Sequence, residues 1–156
     1  MWPFKSKEEK IREYNERLQR ETERINSLGV FPTKTLQLRY SAFPIIHIDD
    51  NNKKILVINY PGNEHVLDYK DIIDFELVVD DVSTFRYSLK TALTGKLDSK
   101  KKINNIQVNL YVNNIDCSFV EIRIFPRVGT AVTWYEGEEL ANQLIGVLHY
   151  IKNNSK

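Results

Sequence analysis

The chain has 156 residues, 42% of them hydrophobic, and its 22 Lys and Arg against 21 Asp and Glu leave a formal net charge of +1. That length supports one ordinary domain with an appendage and excludes two domains of typical size. The near-neutral balance excludes a whole-molecule field able to hold a nucleic-acid backbone or an anionic membrane, so a partner of either kind would need a local patch.

A single cysteine, Cys117, rules out an intramolecular disulfide and any multi-cysteine zinc site, and the expected compartment is the cytoplasm. The opening "MWPFKSKEEK" has no apolar stretch of signal-peptide length, and no later run approaches a membrane span.

The first element is a helix. Ser6 and Glu9 have the spacing of a capping box, and Gly29 and Pro32 supply the stop. Between them Ile11, Tyr14, Leu18, Ile25 and Leu28 fall at the a and d positions of a heptad, with Glu21 at a d position where an apolar residue is missing. Charge surrounds this thin seam, with Glu8 and Arg12, Glu13 and Arg17, and Glu16 and Arg20 in the favourable acid-first order four residues apart. Residues 1–30 therefore read as a helical extension and 33–156 as the main domain. The five seam residues are candidates for pairing with another helix, a second copy of this chain included, set against the plainer reading that the stripe lies on the rest of the domain.

From Thr33 the hydrophobic period changes to alternation, and a meander of about seven antiparallel strands is expected. Short candidates are "TLQLRY", "PIIHID", "KKILVINY", "EHVLDY" and "TFRYSL". The stretch "DDNN" between the second and third of these reads as a tight turn, because Asn and Asp tolerate left-handed backbone. As a calcium loop it fails: counting from Asp49, Lys54 stands where the sharp-turn glycine belongs and Tyr60 where the bidentate glutamate belongs. "YPGNE" reads as a second turn with Pro61 and Gly62 at the centre of a type II geometry. In "IIDFELVVD", Ile73, Phe75, Leu77 and Val79 are expected inside, with Asp74, Glu76 and Asp80 in solvent.

A basic stretch follows. "RYSLKTALTGKLDSKKK" gathers Arg86, Lys90, Lys96, Lys100, Lys101 and Lys102 against Asp98 alone, whereas the charged residues of 64–81 are acidic apart from Lys70 and His65. Those six cations are the candidate contacts for an anionic lipid headgroup, set against the plainer reading of a solvated loop. Alternation resumes with Ile106, Val108, Leu110 and Val112, then with Val120, Ile122 and Ile124. The closing "YEGEELANQLIGVLHYIKNN" is a helix whose Leu140, Leu144, Val147, Leu148 and Ile151 form one apolar face that must be buried against the sheet.

Antiparallel strands followed by one amphipathic helix give the order of the pleckstrin-homology superfold, a barrel or sandwich of two bent sheets capped by a C-terminal helix. The run "HIDDNNKKILVINYPGNEHVLDYKDIIDFELVVDD" resembles small bacterial and phage proteins with a pleckstrin-homology-like domain, most closely at Tyr69, Asp71, Ile72, Ile73, Phe75, Glu76 and Leu77. The resemblance extends over residues 45–152 and lacks the short C-terminal helical module, the SHOCT domain, that many relatives carry. It implies a binding role and brings no catalytic residues with it.

The residues themselves advertise no chemistry. Cys117, His47, His65 and His149 are a nucleophile and three bases without a motif around them, and no phosphate loop, zinc-protease or serine-hydrolase signature is present. No catalytic, cofactor or metal residues are assigned. The expected function is a non-enzymatic protein-interaction module, ahead of a peripheral membrane module using the basic loop and an enzyme of unknown chemistry.

Overall fold

A computed structural model of the chain describes residues 4–38, 41–80, 82–83, 105–125 and 134–155. In chain order these hold α1 (Lys7–Ser27), β1 (Lys34–Gln37), β2 (Ile45–Asp49), β3 (Lys54–Asn59) and β4 (Asn63–Asp68). A single 3-10 turn (Tyr69–Asp71) leads to β5 (Ile72–Val79), β6 (Val82–Ser83), β7 (Ile106–Val112), β8 (Phe119–Phe125) and α2 (Trp134–Asn153). The strands form two antiparallel four-stranded sheets, β1-β2-β3-β4 and β6-β5-β7-β8. This is the expected α+β plan of antiparallel strands followed by a terminal helix, although in the second sheet β7 lies beside β5 and not beside the two-residue β6. The strand expected at 84–89 lies outside the described residues.

Alternation places Ile46, Ile55 and Val57 of the first sheet opposite Val108, Leu110 and Ile122 of the second, all fully buried. α2 closes this core with Leu140, Leu144, Leu148 and Ile151, each contributing about 1.5–3 kcal/mol by leaving water. Gly137 fits this close seating, since a Cβ there would meet the Cβ of Phe125 at 3.1 Å and require it to shift by a few tenths of an ångström.

β3 departs from simple alternation. Ile55 and Val57 face the main core, while Leu56 and Ile58 are buried on the opposite face with Ile25 and Val30. That second cluster is where α1 is attached. The helix begins as expected, with Ser6 Oγ accepting the Glu9 N–H at 3.1 Å. It ends at Gly29, whose φ of +81° is the left-handed conformation that stops a helix.

Three local expectations are corrected. Ile73 does not join the core; it is 56% exposed, because the register between β5 and β7 shifts between Ile72 and Asp74 and turns Ile72 inward instead. Asp74 and Glu76 are half-buried, because each is engaged: Lys152 pairs with Asp74 at 3.3 Å, and Glu76 Oε1 accepts from Asn109 Nδ2 at 3.0 Å and from the Tyr111 hydroxyl at 2.8 Å. The "YPGNE" turn is not type II. Pairing of Asn59 with Asn63 leaves a three-residue loop in which Gly62 N–H bonds Asn59 O, so the cis-bonded Pro61 holds the third position of the turn.

Candidate functional site

The five seam residues of α1 have two different fates. Ile25 is 8% exposed, held against Leu56, Ile58 and Val30, with Phe43 and Ile45 alongside. Ile11, Tyr14, Leu18 and Leu28 are 50%, 53%, 41% and 37% exposed. At 100° per residue, Leu18 and Ile11 lie seven and fourteen positions before Ile25 and so point to nearly the same side of the helix. The apolar stripe thus starts under the last turns of α1 and continues past the sheet with nothing of this chain over it among the described residues. Arg17 stacks over the Tyr14 ring at 5.5 Å, and Lys5 bonds Glu13 at 2.8 Å.

Two contacts seat the docked end. Arg24 pairs with Glu64 of β4. The Phe31 N–H, just past the helix, donates to Asp49 Oδ2 at 2.8 Å; the Asp49 carboxylate also accepts the Asn52 N–H at 3.1 Å and Asn52 Nδ2 at 2.7 Å. Burial alone would push the Asp49 carboxyl up, but the bonds from Asn52 and from the backbone of Phe31, Asn52 and Asn51 outweigh it and hold it below the ordinary carboxylate range. The "DDNN" stretch is therefore a turn that clamps the α1–β1 connection. Next to Asp49, Asp50 accepts the Tyr69 hydroxyl at 3.2 Å and the Tyr150 hydroxyl at 2.9 Å, which ties α2 to the same turn.

His47 lies on the face of the first sheet that α1 covers, with Nδ1 2.9 Å from Thr35 Oγ1. Burial, then the charge of Arg24, pushes its pKa below the ordinary 6.5, and Glu21 pulls weakly the other way. The unfolded chain therefore binds the extra proton first, so this contribution to stability is full above about pH 6.5 and is lost as the pH falls below it. In urea denaturation followed by circular dichroism, stability should decline from pH 7.5 to 5.5. His47→Gln should remove part of that decline.

The structure also brings together one pair that the sequence leaves scattered. Cys117 Sγ stands 3.9 Å from His65 Nδ1, joining the β7–β8 hairpin to edge strand β4. Sγ also lies 3.6 Å from the Phe119 carbonyl, which can accept its S–H. His149 is elsewhere, edge-on to Phe75 with centroids 4.9 Å apart. Among the described residues no three His, Cys, Asp or Glu side chains converge as a metal site, and no helix is long and apolar enough to cross a membrane. Arg86, Lys90, Lys96, Lys100, Lys101 and Lys102, the candidate lipid contacts, lie outside the described residues. No family model, curated protein or solved structure matches the chain.

Proposed function

We infer that the protein is a non-enzymatic interaction module in which the β domain is the base and α1 the binding arm. One observation carries this reading: the apolar stripe that seats Ile25 on the first sheet runs on through Leu18, Tyr14 and Ile11, which remain open. A helix whose only buried residue is Ile25 obtains little of its stability from the domain, and such a seam gains most by meeting a second helix. The resemblance to pleckstrin-homology-like proteins noted in the sequence implies a binding role and agrees with this reading.

The test is a photo-crosslinking amino acid placed at Tyr14 or, for comparison, at the exposed Lys70. In cells of the native host, position 14 should give a discrete protein adduct and position 70 none. Equal labelling from both positions, or none from position 14, would contradict the arm.

A further inference from the structure

We propose that the exposed seam of α1 is built to receive a different protein's amphipathic helix, one with acidic residues flanking its apolar stripe, and not a second copy of this chain. The proposal rests on the reading of α1 as a binding arm and adds the chemistry of its partner.

The argument starts from the flanks. With Ile11, Leu18 and Ile25 at a positions and Tyr14 at d, the g positions are Lys10, Arg17 and Arg24, and the e positions are Glu8, Asn15 and Thr22. One flank is wholly basic. The other carries a single acid at its start.

Self-pairing meets an obstacle in either direction. In a parallel pair the second helix would run beside the first past the level of Ile25. The a/d face at that level is already occupied by Leu56 and Ile58 of the first's own sheet. An antiparallel pair avoids the sheet, because only the open N-terminal parts overlap. It then sets g against g, bringing Lys10 of each copy beside Arg17 of the other. Pairing Ile11 with Tyr14 also faces Leu18 with Lys7, and pairing Leu18 with Tyr14 faces Ile11 with Glu21, each a d position where an apolar residue is needed.

A foreign helix has neither difficulty. It can stop short of the sheet, and glutamates beside its seam would meet Lys10 and Arg17. Arg24 is held by Glu64 and marks the inner limit of the seat. The whole of α1 is charge-balanced, with six Lys or Arg and six Glu between Lys7 and Ser27, so the basic character is confined to that flank and favours a helix over an anionic surface.

The experiment uses the full chain and two synthetic helical peptides with the same Leu and Ile seam, one with Glu and one with Lys at every e and g position. Sedimentation of the chain alone should show a monomer up to high concentration. Titration should show the Glu-flanked peptide binding and the Lys-flanked peptide at least about tenfold weaker, and a Lys10→Glu, Arg17→Glu variant should reverse that preference. Circular dichroism of the variant establishes that it folds. A concentration-dependent dimer, abolished by Leu18→Glu, would overturn the foreign-partner proposal while leaving α1 as an arm. Equal binding of both peptides would overturn the charge selection alone. A monomer that binds neither peptide would remove the arm reading together with the proposal.

Discussion

Asp49→Ala is expected to destabilise the chain by about 2–4 kcal/mol, although the residue sits in a stretch that reads as an ordinary turn. Its side chain is fully buried and accepts three hydrogen bonds, one of them from the Phe31 N–H eighteen residues away. Removing the carboxylate leaves the Phe31 donor without its acceptor and frees the α1–β1 connection from the β2–β3 turn. Asp49→Asn retains one acceptor oxygen and should lose less. Acid provides a second check. Because the folded carboxyl titrates below the ordinary 3.8, its contribution is complete above that value and is lost as the pH falls through the lower folded pKa. The gap between wild type and Asp49→Ala in urea denaturation should therefore be wide at pH 7 and narrow toward pH 3. A constant gap would mean that the carboxylate's charge contributes nothing to the clamp.

Asp49 also shows where reading the chain in one dimension stops. Strands β2, β5, β7, β8 and helix α2 were legible because each shows one apolar face at its own period, and period depends on neighbours in sequence alone. The seam of α1 was legible for the same reason. What the seam rests on was not, since it depends on a sheet that forms later in the chain. A signal did exist: "KILVIN" is continuously apolar where a strand with one wet face would alternate, and such a run marks a strand covered on both sides. Leu56 and Ile58 are the extra coverage, and α1 is what lies over them. Contacts such as Cys117 with His65, or Tyr150 with Asp50, join residues 52 and 100 positions apart. No local pattern encodes those distances.

Strand β5 offers the sharpest separation of two residues that the same periodicity treats alike. Leu77 is 8% exposed and belongs to the main core with Phe75 and Val79; Ile73, four positions earlier, is 56% exposed. Strict alternation would place both inside. The register shift between Ile72 and Asp74 breaks that equivalence by inserting one residue into β5 opposite β7, so Ile72 takes the inward position and Ile73 is turned out. Leu77→Ala should accordingly cost about 2–5 kcal/mol, the usual range for emptying a leucine site in a packed core. Ile73→Ala should fall within about 0.5 kcal/mol, as for a surface position away from special contacts. Parallel urea denaturation of the two variants measures the difference directly. Comparable losses would show that no extra residue is accommodated and that the first half of β5 pairs one residue out of the register described. Ile72→Ala completes the comparison: as the residue that replaces Ile73 in the core, it should behave like Leu77→Ala.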